Sequence, residues 1–159
     1  MSAPRSVVRI NRDGVQYVSS VDKANYYIFE LSRAALRDVG KFVKKKFREN
    51  FYKKFKRHTG LAGNAVTCVV LSNKKTTDPR VEIGWANERK KKKQKGFYAF
   101  FQETGTKKTP KLAILTRSVE DNIAEIIRIE SQYLSALESE ARALSLINED
   151  DYDDEEDEL

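Results

Sequence analysis

Between Asp22 and Arg57 the apolar residues Ile28, Leu31, Ala35, Val39, Phe42, Val43, Phe47, Phe51 and Phe55 recur at steps of three and four. Side chains at that spacing line one side of an α-helix, so the run predicts a single long amphipathic helix with one buried stripe. Ser20 or Asp22 supplies its N-cap. Thr59-Gly60 marks its end, because glycine takes the left-handed conformation that closes a helix without strain. The rest of the chain must provide what covers the stripe. On the other faces the second half of this helix carries Lys41, Lys44, Lys45, Lys46, Arg48, Lys53, Lys54, Lys56 and Arg57, relieved only by Glu49. Like charges at helical spacing repel by roughly 0.2–0.5 kcal/mol per close pair. Such a face is either solvated or meets nucleic acid or an acidic neighbour.

Two strand pairs flank the helix. Val8 and Ile10 alternate with Arg9, Asp13-Gly14 offers a two-residue turn, and Val15, Tyr17 and Val18 follow, which predicts a hairpin over residues 6–19. After the helix, Val66–Leu71 is a β-rich run containing the single cysteine, Cys68. Val81, Ile83 and Trp85 then alternate cleanly beyond a polar turn from Ser72 to Pro79, so these segments read as an antiparallel pair. The run from Asn87 to Lys95 has six bases against one acid and nothing apolar to anchor it, and is expected to project as a flexible loop.

The stretch Gly96–Pro110 places Phe97, Tyr98, Phe100 and Phe101 before Glu103 and a Gly105-Thr106 corner. Bases beside aromatics can form a stacking platform for single strands. Here the aromatics are clustered rather than interleaved with the bases, which favours core packing for Phe97 and Phe101. Glu103 is either an interface acid or an acceptor for backbone N–H groups of the turn through Thr106, the second being preferred. Thr109-Pro110 suits a helix start. Leu115, Val119, Ile123, Ile126, Ile127, Leu134, Leu137, Ala141 and Leu144 then extend a second apolar stripe to about Ile147, widened by Ile129 and Tyr133. One helix of that length, near ~50 Å, overhangs a small sheet, so part of its apolar face is expected to meet another subunit.

Charge is unevenly placed. Residues 149–159 hold nine acids and no base, leaving 30 bases against 15 acids (24 − 9) in residues 1–148. A body of about +15 favours polyanions and acidic partners. Residues 148–159 are expected to be a disordered acidic tail behind a single domain over 1–147. Groups for chemistry are scarce. His58 lies in a basic helix end, Cys68 has no histidine or second cysteine at metal or catalytic spacing, and Gly60 and Gly63 lack the Gly-Lys-Ser/Thr ending of a phosphate loop. These features predict a chain that is not an enzyme, with no cofactor and no metal. One cysteine, no apolar run near 18 residues and no secretory leader pattern predict a soluble, cytoplasmic product with no membrane association.

The spacing Tyr98-Ala99, Glu103, Gly105-Thr106 and Pro110, followed by a long amphipathic helix, resembles the signature of a family of tail-component proteins of long-tailed bacteriophages. These are neck, tail-completion or head-tail joining proteins. A basic N-terminal helix, Thr59-Gly60-Leu61 and a β-hairpin precede the motif in the family's order, so the resemblance spans roughly residues 22–135; Thr104 stands where the family has an aromatic. It implies a non-enzymatic subunit of a homo-oligomeric, often six-fold ring at the neck of the virion, made in the host cytoplasm and meeting other neck, connector or tail-tube proteins. On that reading Tyr98, Phe100, Glu103, Gly105 and Thr106 serve the oligomer interface. Lys90, Lys91, Lys92, Lys93 and Lys95 face the DNA passage or an acidic neighbour.

The fold class expected is α+β: two long amphipathic helices packed on a small antiparallel sheet, formed by the hairpin near Val66–Trp85 and extended by the N-terminal strands. The rival function is a nucleic-acid-binding protein whose acidic tail competes intramolecularly for its basic body, with the lysine run as an alternative nuclear address.

Overall fold

The computed structural model of the chain describes residues 7–12, 14–56, 60–71, 79–85 and 98–153. The class is mixed helix and sheet, and its spine is one helix. Helix α1 runs Val21–Lys54, and its buried residues Leu31, Ala35, Val39, Val43, Phe47 and Phe51 are those of the sequence stripe. Tyr27, Ala34 and Gly40 join them, whereas Ile28, expected inside, is half exposed. At ~1.5 Å per residue α1 is about 50 Å long. Ser20 occupies the N-cap without a side-chain hydrogen bond. The helix stops at Lys54, short of Gly60, because Phe55 turns to extended backbone and lays its ring against Phe51 at 4.7 Å. Gly60 keeps a left-handed φ of 76° in the loop beyond.

Strands β1 (Val7–Arg12) and β2 (Val15–Ser19) pair antiparallel with Arg12 opposite Val15 and a register irregularity between Val8 and Ile10; Asp13 of the expected turn lies outside the described residues. Strands β3 (Val66–Leu71) and β4 (Arg80–Trp85) also pair antiparallel, from Val66 opposite Trp85 to Leu71 opposite Arg80. The two pairs are separate two-stranded sheets, so the N-terminal strands do not extend the second sheet as expected. β3 and β4 pack on α1, while β1 and β2 contact chiefly each other.

The second long helix of the sequence reading is instead a series of shorter ones. Helix α2 (Tyr98–Thr104) forms within the aromatic stretch, and Thr109-Pro110 starts no helix. α3 (Ile114–Glu120) begins after Ala113, which takes a left-handed φ of 48°. α4 (Ile123–Ala136) follows Asn122, whose non-helical backbone breaks the axis. Leu137, Glu138 and Ser139 each donate to the carbonyl three residues back, tightening the end of α4, and Ser139 then accepts from Ala143 at the start of α5 (Glu140–Asp153). Within α5, Ala143 and Ile147 are buried and Ala141 is exposed, so the buried face is set one step away from the sequence stripe. Backbone helix continues over 148–153, and the remainder of the acidic tail, 154–159, lies outside the described residues.

Two cores lie along α1. Around its first half Tyr27, Leu31, Ala34 and Ala35 close on Tyr133, Ala136, Ala143 and Ile147. Around its second half Phe47 and Phe51 close on Ala62, Val66, Ala99 and Ile114, with Ile83 and Trp85 against them. Each fully buried ring contributes about 1.5–3 kcal/mol. Where α1 crosses β3, Gly40 permits the approach: a Cβ there would lie 2.0 Å from Cys68 Sγ. Cys68 is half buried, and desolvation pushes its thiol pKa up despite Lys44 nearby, which disfavours the reactive thiolate.

Candidate functional site

The corner from α2 to α3 is built from the residues of the sequence motif. Gly105 takes a left-handed φ of 76°, and a Cβ there would lie 3.0 Å from the Lys111 nitrogen. Thr106 and Thr109 exchange backbone hydrogen bonds at 2.8 and 3.3 Å, and Thr106 Oγ1 accepts from the amides of Lys108 and Thr109. The Leu112 amide then donates to the Gln102 carbonyl at 2.8 Å, tying the segment after Pro110 to α2.

Glu103 does not serve the turn through Thr106, as the sequence reading preferred. It reaches across to α3, where Oε2 accepts from the Leu115 amide at 2.8 Å and Oε1 accepts from the Thr116 amide at 3.0 Å and its hydroxyl at 2.7 Å. Ala113, at the N-cap of α3, has no side chain to do this. A remote carboxylate therefore satisfies the orphan donors of α3 and sits at the positive end of its dipole.

The aromatics divide between core and surface. Phe100 is half buried and stands edge-on to Trp85, with ring centroids 5.5 Å apart. Tyr98 and Phe101, three residues apart on one side of α2, are exposed, and Phe101 thus departs from the expected core position. Glu103, Gly105 and Thr106 shape the corner, and Tyr98 and Phe101 are the exposed large apolar members. Lys90, Lys91, Lys92, Lys93 and Lys95, with Phe97 and His58, lie outside the described residues, as does most of the polar turn from Ser72.

A second exposed apolar surface lies on α4. On α4, Ile123, Ile127 and Leu134 are 52, 56 and 67% exposed, and Leu137 just beyond is 43% exposed. Steps of four, seven and three put them on one side of the helix. Exposed Glu120, Asp121 and Glu138 lie at its two ends. Beside it, Ile28 of α1 and Leu134 and Leu137 form the lips of a groove of about 380 Å³ floored by Leu31, Ala35 and Tyr133. The Tyr133 hydroxyl donates to Asp38, which fixes α4 on α1. The sequence showed an apolar stripe but not which part of it stays uncovered, since that depends on the angle at which α4 leaves Asn122.

In a neighbouring pocket that shares Ile28 and Leu137 with this groove, the Tyr27 hydroxyl donates to Glu140 Oε1 at 3.0 Å, and Lys23 Nζ lies 2.6 Å from the same oxygen. The hydrogen bond from Lys23, then that from Tyr27, lowers the Glu140 pKa; the Lys23 pKa is raised, first by the same bond. Burial, then the bond to Glu140, raises the Tyr27 pKa. This cluster joins α5 to α1 and sequence reasoning missed it, because Glu140 lies more than a hundred positions from Lys23 and Tyr27.

Among the described residues no group of three or more acids, cysteines or histidines is placed to hold a metal ion, and no helix is long and apolar enough to cross a membrane. Comparison with protein-family models, curated proteins and solved structures finds no match to this chain.

Proposed function

We propose that the chain is a non-enzymatic virion structural protein: a head-tail connector (neck) or tail-completion or tail-terminator subunit that closes into a ring around a DNA passage. The observation that carries this reading is the uncovered apolar stripe of α4, Ile123, Ile127, Leu134 and Leu137, on a chain of this size. A contiguous apolar face of this kind, rimmed by acids, marks a protein interface. The second half of α1 exposes Lys45, Arg48, Lys53 and Lys54. An acid-rimmed patch and a basic face on different elements suit head-to-tail contact between copies, the geometry that builds rings. The short motif from Tyr98 to Pro110 supports the phage tail-component assignment, and its corner fixes α3 and hence α4.

Native mass spectrometry and negative-stain electron microscopy of the purified chain, alone and with candidate neck or tail proteins, test the reading. A discrete closed ring, with six copies as the first expectation, supports it. A monomer under all these conditions refutes it. The cationic face of α1 favours the rival reading, a nucleic-acid-binding protein; a monomer that binds duplex DNA with a steep salt dependence would replace the ring proposal.

A further inference from the structure

We propose that β2 of one copy adds to the open edge of β3 in the next, joining two hairpins into a four-stranded sheet that crosses between subunits. This pairing deepens the ring reading by naming the strands that link successive copies, and it rests on the self-association in that reading.

The four strands are not equally protected. Each sheet has two strands, so every strand keeps one edge without a strand partner among the described residues. An open edge offers unpaired N–H and C=O groups, and proteins that stay apart blunt it with charges, prolines or bulges. β1 holds Arg9 and Arg12 and carries the register irregularity between Val8 and Ile10. β4 holds Arg80 and Glu82, both exposed. β2 (Val-Gln-Tyr-Val-Ser) and β3 (Val-Thr-Cys-Val-Val-Leu) hold no charge and no proline, and at five and six residues they match in length.

Burial points the same way. Val15 and Val18 are both exposed, although their odd spacing puts them on opposite faces of β2, so both faces of the hairpin are open there. β1 and β2 contact chiefly each other, and a lone two-stranded hairpin is marginally stable in water. On β3, Val69 and Leu71 share the exposed face, opposite Cys68, whose sulfur meets α1 at Gly40. Strand addition supplies backbone hydrogen bonds to both open edges and sets apolar side chains of β2 beside Val69 and Leu71.

The partner is a second copy because α1 holds the two strands apart within one chain. β2 ends beside Ser20, the N-cap of α1, and β3 crosses α1 at Gly40, about 30 Å along the helix. Val66, at the far end of β3, packs with Phe47 and Phe51 farther along still. β2 spans only about 17 Å when extended, too short to lie along β3 of its own chain. Each copy therefore gives β2 and receives on β3. That contact joins unlike patches head to tail, the kind that closes into rings. The extension of the second sheet by the N-terminal strands, absent within one chain, then forms between copies.

The test uses full-length chains carrying Cys68→Ala. One set bears Val15→Cys or Val18→Cys, the other Val69→Cys or Leu71→Cys, and the sets are mixed and treated with a short bis-maleimide. At least one mixture is expected to yield a covalent heterodimer at about ten times or more the yield of covalent dimer from either chain alone. In the otherwise natural chain, Val18→Lys and Val69→Lys each place a charge on an open edge and should raise the association midpoint about tenfold or more by native mass spectrometry. No cross-link above the single chains, with association unchanged by either lysine, overturns the proposal and leaves the ring reading standing. Mixed cross-links in species that are only dimers or open chains support the pairing and overturn the ring. Absence of both association and cross-link overturns the two together. Far-ultraviolet circular dichroism confirms that each variant folds.

Discussion

Replacing Gly40 with alanine sets two effects of opposite sign against each other. Gly40 lies within the long helix α1, where alanine is intrinsically better by about 1 kcal/mol. The new methyl group, however, would lie 2.0 Å from Cys68 Sγ, 3.3 Å from Cys68 Cβ and 3.6 Å from Val81 Cγ2. Normal carbon contacts fall near ~3.5–4.0 Å, so the sulfur must retreat by about 1.5 Å or β3 must lift from α1. Overpacking of this kind costs about 1–3 kcal/mol, which offsets or exceeds the gain in propensity. The net change for Gly40→Ala is therefore expected to be a loss of about 0–2 kcal/mol, and the background makes the argument sharper. Cys68→Ala removes the sulfur, so Gly40→Ala introduced into that variant should recover most of the propensity gain. Urea unfolding of the wild type, both single variants and the double variant gives the coupling, expected at about 1–3 kcal/mol with m unchanged. A coupling within about 0.5 kcal/mol of zero, with Gly40→Ala stabilising both backgrounds alike, refutes the close approach of α1 and β3.

Glu103→Ala strips α3 of its remote cap and should cost about 1–3 kcal/mol by urea unfolding, with Glu103→Gln losing less because an amide oxygen still accepts one N–H. Gly105→Ala forces a Cβ against the Lys111 backbone at a left-handed φ and should cost about 1–3 kcal/mol by the same assay. The Lys23–Glu140 pair gives stability a pH window. The lowered Glu140 pKa contributes stability that is present above the usual carboxylate pKa and is lost as pH falls through the folded value. The raised Lys23 pKa contributes stability that is present below the usual lysine pKa and is lost as pH rises through the folded value. Glu140→Gln should therefore flatten the acid limb of a melting-temperature profile relative to wild type. Leu134→Asp places a charge on the most exposed member of the α4 stripe and should abolish any ring seen by native mass spectrometry while shifting the monomer's unfolding midpoint little.

The parts of the fold that the sequence declared are those set by local chemistry. The period of α1 and the alternation at Val81, Ile83 and Trp85 each depend on near neighbours, and each element forms where those signals lie. The apolar steps between Leu115 and Leu144 look equally regular, yet the axis breaks twice within them, and the helix starts only after Ala113 rather than at Pro110. Ala113 adopts a left-handed conformation that nothing in an alanine announces, and Asn122 and Ser139 are only weak punctuation. The motif at the α2–α3 corner was visible as a set of residues, but the partner of Glu103 was not, because it lies twelve and thirteen positions ahead on a helix whose start was misplaced. Phe101 was expected inside on hydrophobicity alone. The side of a seven-residue helix that faces the core is set by Ala99, whose small size lets α2 approach closely.

Glu103 also makes the folding of two segments interdependent. It sits in the last turn of α2, where a negative charge opposes that helix's own dipole, and at the start of α3, where it is favoured. Each helix has seven residues, well below the length at which an isolated helix persists in water. α2 therefore tolerates its own terminal acid only while α3 is docked to receive it, and the loss of either removes the reason for the other. In hydrogen exchange the amides of the two helices should open as one cooperative unit with a shared opening free energy, rather than fraying separately from their ends.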